Sequence, residues 1–145
     1  MFHFDPVKIN NKTEFHRQMN GCLQSMIQDE PDWLAGLANA SALLYQLMPE
    51  INWAGFYLYK GGELVLGPFQ GKPACIRIAI GRGVCGTAAK TGEMQIVQDV
   101  NLFPGHIACD SESQSEIVLP VFQQQRLIGV LDIDSPVKSR FDRED

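Results

Sequence analysis

The chain has 145 residues, 45% of them hydrophobic and 20% charged, which is enough for a single domain with a real core. A formal net charge of −5, with 12 Lys and Arg scattered along the chain, excludes the basic footprint of a nucleic-acid or anionic-membrane binder. Segment 1–11 has no basic start followed by an apolar stretch, and no run approaches the roughly 18 apolar residues of a membrane span, so a cytoplasmic protein is expected.

Taken in chain order, Thr13 can cap a first helix whose Phe15, Met19, Cys22 and Met26 recur at intervals of four and three, a single buried stripe. A second helix is predicted from Asp32 to about Met48, with Leu34, Leu37, Ala38, Leu44, Tyr45 and Met48 inward and Pro49 ending it. From Ile51 the pattern turns to β: 52–59 and 63–67 read as a hairpin around Lys60-Gly61-Gly62, and 75–80 as a further strand. Gly81-Arg82-Gly83 leads into a short helix over 84–90, followed by a strand over 94–98 and an irregular stretch over 101–113. The last unit is a hairpin, 114–122 and 126–135, joined by Gln123-Gln124-Gln125. Helices followed by short hairpins predict an α+β fold with a mostly antiparallel sheet. The ending over 139–145 reads as the cap and first turn of a helix, so a C-terminal helix is expected to be missing or truncated.

Four cysteines in a chain without an export signal point to redox or metal chemistry. Cys22 lies on a helical stripe and reads as a small core hydrophobe. Cys75, Cys85 and Cys109, spaced 10 and 24 residues apart, each lie beside a turn, loop or strand end. A zinc set of Cys75, Cys85, Cys109 and His106 has the right donors, but no Cys-x-x-Cys knuckle, and no metal is expected. A hydrolase-like pair of His106 with Cys109 is the second rival. The acidic setting, with Asp110, Glu112 and Glu116 after Cys109, disfavours a resting thiolate but suits a substrate that carries an ammonium group and takes up a proton as it reacts. Asp132 and Asp134, two apart on a strand, share one face; Glu116 on the partner strand is expected to join them, and repulsion among the three would leave at least one protonated near neutral pH.

Five segments carry a resemblance: NWAGFYL at 52–58, LGPFQG at 66–71 with PAC at 73–75, GRGVCG at 81–86, HIACD at 106–110 and LDIDS at 131–135. Together, over about 30–142, they closely resemble the free methionine-R-sulfoxide reductases of the GAF superfamily. The resemblance implies a GAF-like α+β fold, a central, mostly antiparallel sheet of about six strands flanked by helices. It implies that Cys109 attacks the sulfoxide sulfur and becomes a sulfenic acid. Cys75 matches the resolving cysteine that forms a disulfide with Cys109, thioredoxin is the reductant and no cofactor is required. Cys85 matches an auxiliary third cysteine. Glu116, Asp132 and Asp134 match the substrate-binding and acid residues, with Asp134 or Glu116 as the acid and the remaining carboxylates on the substrate ammonium. Trp53 and Tyr57, four apart on a strand and so on one face, would wall the methyl-sulfinyl group. The resemblance also admits a homodimer. The main alternative is a GAF-type small-molecule or redox sensor without turnover, since one fold hosts many functions.

Overall fold

The structure, a computed structural model, describes residues 11–107 and 109–145. Segment 1–10, part of the stretch in which no leader is expected, and Ala108 lie outside the described residues.

Helix α1 (Lys12–Ile27) starts earlier than Thr13 suggests: Asn11, an equally strong capping residue, accepts the Glu14 N–H at 3.1 Å. The expected stripe holds, with Met19 buried and Phe15, Cys22 and Met26 half-buried. Helix α2 (Trp33–Leu47) begins one residue after the expected start, because Asp32 caps it by accepting the Leu34 N–H at 2.9 Å. Its inward face is rotated from the expected one. Leu37, Leu44 and Met48 face the core as expected, but Leu34, Ala38 and Tyr45 are exposed, and Ala40, Ser41 and Leu43 are buried instead. The helix is apolar on nearly every side, so its periodicity did not single out the core face. Ser41 is held inside because its hydroxyl lies 2.9 and 3.0 Å from the carbonyls of Leu37 and Pro68.

Six strands form one sheet in the order β3-β2-β1-β6-β5-β4, and every pairing is antiparallel. They are β1 (Trp53–Lys60), β2 (Glu63–Gly71), β3 (Arg77–Ala79), β4 (Gln95–Val97), β5 (Ser115–Gln123) and β6 (Arg126–Ser135). Strand β2 runs four residues beyond its expected end because its far half keeps pairing with β1 as far as Trp53↔Gly71, past a bulge between Gly55 and Tyr57. Strand β3 is shorter than expected and leaves Cys75 in the connection before it. Within the irregular 101–113 stretch a 3-10 turn, Val100–Leu102, is capped by Asp99, whose side chain accepts the Asn101 N–H at 3.0 Å.

The sheet's two faces are packed differently. Helices α1 and α2 cover one, where Met19, Leu43, Met48, Ala54, Ile117, Ile133 and Phe141 form a core. Helix α3 (Gly83–Thr91) covers the other, where Trp53, Tyr57, Val84, Cys85, Val118 and Val130 pack together. Gly83 opens α3 at φ +61°, a left-handed conformation that glycine adopts without strain, with Ile107 pressed against it. Where a helical first turn is expected, Arg140 to Asp142 form no helix; Phe141 turns into the α1/α2 core.

Candidate active site

The site is assembled by strand register. Side chains alternate across a sheet, so Trp53, Gly55 and Tyr57 of β1 face α3, as do Val130, Asp132 and Asp134 of β6 and Glu116 and Val118 of β5. Trp53 pairs with Asp134, and Asp134 with Glu116; in the next row Gly55 pairs with Asp132, and Asp132 with Val118. Cross-strand neighbours stand about 5 Å apart, so the three carboxyls converge at one end of the sheet. Gly55 is required at this point: a Cβ there would run into Phe69 and the Trp53 indole. The indole therefore lies along the strand, stacked on Phe69 at 5.2 Å between centroids and on Tyr57 at 6.0 Å.

Above these rows α3 lowers Cys85, whose Sγ lies 4.0 Å from Glu116 Oε1. Two connections complete the walls. Cys75, before β3, and Cys109, in the loop before β5, are joined by a disulfide with Cα atoms 5.9 Å apart. The Cys75 segment is anchored to the aromatic wall, and the Cys109 segment to Lys72 and Asn52. The Trp53 indole N–H donates to the Lys72 carbonyl at 3.1 Å, and the Tyr57 hydroxyl donates to the Cys75 carbonyl at 2.9 Å. Lys72 Nζ reaches across to Asp110 at 3.5 Å and to Glu112, while Asn52 Nδ2 donates to Asp110 at 3.3 Å and to Ser113 Oγ at 3.1 Å. Sequence reasoning missed Asn52, Lys72 and Ser113. Asn52 opens the NWAGFYL segment and Lys72 interrupts the two quoted pieces around it, but nothing in their chemistry signals that they tie distant loops together.

These walls enclose a cleft of about 550 Å³, counted out to its open mouth, lined by Trp53, Tyr57, Cys85, Cys109, Glu116, Asp132 and Asp134 among others. The structure thus brings together Cys75, Cys85, Cys109, the three carboxyls and both aromatics. Cys22 is remote, half-buried beside the α1/α2 core.

The electrostatics follow from burial. Glu116 is 6% exposed and its carboxyl is held well above the usual range, first by desolvation and then by Asp132 and Asp134. Asp134 is raised well above its usual value for the same leading reason, with Asp132 and Asp110 adding to it. Asp132 is pushed up by desolvation to about 6, held there by hydrogen bonds to Cys85 and Glu116 that favour its charged form. Burial and the adjoining carboxyls push the Cys85 thiol up. Burial likewise lowers His106, whose Nε2 lies 3.7 Å from Glu116 Oε2, so the contact joins a neutral imidazole to a protonated acid rather than two ions. The geometry can donate a proton to a bound polar atom and accept bonds from a cation, beside a pair of sulfurs at the mouth.

Of the donors in the supposed zinc set, Cys75 and Cys109 are bonded to each other and cannot ligate in this state. Among the described residues the group able to hold a cation is a different one, Cys85 with Glu116 and Asp132.

Fold and site together define a thiol-disulfide redox protein on an α+β ligand-binding scaffold. Residues 27–145 match the GAF domain family. The free methionine-R-sulfoxide reductase of Escherichia coli is 56% identical over 135 residues, spanning 93% of this chain and 82% of that protein. The structure of free methionine-R-sulfoxide reductase from Neisseria meningitidis in complex with its substrate superposes with a TM-score of 0.92 at 46% identity, covering 100% of this chain and 86% of that one. The reduced form of the Staphylococcus aureus protein superposes at 0.86 with 50% identity, covering 98% and 90%. The chain belongs to the GAF-domain free methionine-R-sulfoxide reductases.

Proposed function

We propose that this protein reduces free methionine-R-sulfoxide to methionine at the sulfur of Cys109. The single observation that carries the reading is the Cys75–Cys109 disulfide at the mouth of a cleft floored by three carboxyls with raised pKa values. With both cysteines reduced, Cys109 sulfur attacks the sulfoxide sulfur, the sulfoxide oxygen passes to Cys109 as a sulfenic acid, and methionine leaves. Sulfur in the substrate is reduced by two electrons and Cys109 is oxidised by two. The Cys75 thiol then attacks the sulfenic sulfur, water leaves and the disulfide forms. A dithiol protein of the thioredoxin class reduces it by exchange, which fits a cytoplasmic setting; no cofactor enters.

The acid is Glu116 or Asp134. Each is buried with its pKa raised, which favours the protonated form that a general acid needs, and such assistance is typically worth about 10²- to 10⁴-fold. Asp132, titrating at about 6 and so the most readily ionised of the three, holds the substrate ammonium with whichever carboxyl is not the acid. A peptide-bound methionine sulfoxide has no such ammonium, which restricts the substrate to the free amino acid. Trp53 and Tyr57 enclose the methyl-sulfinyl group. Cys85, buried against Glu116, serves as an auxiliary thiol. A small-molecule sensor without turnover has no need of two cysteines in bonding reach, and a redox sensor would form its disulfide without making methionine. Trp33, Leu34 and Tyr45, exposed along α2, offer the apolar surface for a homodimer, which sedimentation resolves directly.

The test is anaerobic incubation of reduced protein with free and N-acetylated methionine sulfoxide of each epimer. One methionine formed per two thiols lost, from the free R epimer alone, is the expected result. Equal consumption of the N-acetylated form would remove the ammonium recognition.

A further inference from the structure

Cys85 is a buried thiol set among acids rather than among apolar side chains. Its Sγ, one oxygen of Glu116 and one of Asp132 lie within 4.8 Å of one another, and the Cys85–Glu116 separation is 4.0 Å. Donors around a single tetrahedral zinc-type ion, with bonds of about 2.3 Å to sulfur and 2.0–2.2 Å to oxygen, stand roughly 3.5–4 Å apart, so little movement would seat one.

A second observation points to a ligand. Asp132 is 6% exposed, lines the cleft, and its Oδ1 accepts no hydrogen bond. Buried carboxylate oxygens almost always have a partner, so this second Asp132 oxygen, left over from the bonds to Cys85 and Glu116, is an acceptor open to a cation. His106 Nε2, 3.7 Å from the other Glu116 oxygen, lies outside the three-donor group. Burial first, and the neighbouring carboxyls second, raise the pKa values of Cys85 and Glu116, and a bound dication offsets both by favouring the charged forms. A thiolate among oxygen donors selects zinc or cadmium over magnesium or calcium.

We propose that Cys85, Glu116 and Asp132, with water completing the coordination, form a binding site for a zinc-class divalent cation that excludes the sulfoxide from the cleft. On binding, the Cys85 S–H bond breaks, its proton goes to solvent and a sulfur–metal bond forms, with no change of oxidation state. Exclusion of the sulfoxide rests on the carboxyl roles assigned under Proposed function; the metal site itself does not.

The test uses oxidised protein, in which Cys75 and Cys109 block each other and, of the four cysteines, Cys22 and Cys85 retain thiols. Cadmium chloride is titrated in while the ultraviolet cadmium–thiolate absorption is followed. One equivalent is expected to saturate a band that is kept in Cys22→Ser, lost in Cys85→Ser, and reached only at higher cadmium in Asp132→Asn, which keeps the thiol and guards against a folding defect in the cysteine variant. Binding tightens as pH rises, since protons are released. Absence of the band in the unsubstituted protein, its persistence in Cys85→Ser, or unchanged affinity in Asp132→Asn overturns the site. The titration is repeated in a Cys75→Ser, Cys109→Ser double variant with free methionine sulfoxide, which should displace cadmium. Failure to displace it, while the metal-free reduced enzyme still forms methionine, overturns the exclusion alone; failure of the metal-free enzyme to form methionine counts against the proposed activity and leaves the Cys85 site standing on its own titration.

Discussion

The same three strands, β1, β6 and β5, build two unlike surfaces. On the α1/α2 face, Ala54, Ile133 and Ile117 are 0%, 4% and 1% exposed and meet only apolar neighbours. One residue away on each strand, Trp53 or Gly55, Asp132 or Asp134, and Glu116 face α3, and three acids share a partly dry cleft there. The first face contributes stability by burying apolar area. The second costs stability, because carboxyls are held where water cannot solvate their charge. A period of two residues separates the part of each strand that holds the fold from the part that holds the chemistry.

The largest effect that would break this contrast is at the sulfur. Cys109→Ser is expected to abolish even a single turnover, measured as methionine per protein under anaerobic conditions, whereas Cys75→Ser allows one and stops. A first turnover retained in Cys109→Ser would move the nucleophile elsewhere. Next come the acids: Glu116→Gln or Asp134→Asn, whichever bears the transferred proton, should lower kcat/KM by about 10²- to 10⁴-fold. Activity of the unsubstituted protein should fall as pH rises through the raised carboxyl pKa values, because the acid is active when protonated, and this limb should vanish in the variant that has lost the acid.

On the opposite face, Ile117→Ala should destabilise by about 2–5 kcal/mol in urea unfolding while leaving kcat/KM per folded molecule within a few-fold. The smallest effect has the opposite sign. In Asp132 the folded-state carboxyl binds its proton up to about pH 6, against 3.8 for the ordinary group, so the folded state binds more protons than the unfolded one across that window and stability falls as pH rises through it. Asp132→Asn should therefore gain about 1–3 kcal/mol over the unsubstituted protein above pH 6, with the gain vanishing below pH 4. A loss at pH 8 would show that Asp132 stabilises the fold as an ion.

Much of this was legible in the residues. Alternation in LDIDS put Asp132 and Asp134 on one face, and four-residue spacing did the same for Trp53 and Tyr57, because a strand's geometry is local. The start of α2 was legible to within a residue because Asp32 acts on its own next turn. The rotation of α2 was not, since an almost wholly apolar helix takes its orientation from what it packs against. The length of β2 was not either, since pairing with β1 decides it.

By itself the sequence determined the antiparallel α+β architecture, the alternation that splits each strand between core and site, and the residue types of the cleft, all consequences of short-range periodicity and turn chemistry. Tertiary structure alone decided that Cys75 and Cys109, 34 residues apart, stand within bonding distance, that Cys85 meets Glu116 and Asp132, that Lys72 ties the two cysteine segments together, and that Asn52 ties the Cys109 segment to the start of β1. Those facts depend on how long connections fold back over the sheet, and the closing of a loop is set by the contacts at its ends rather than by any pattern along its length.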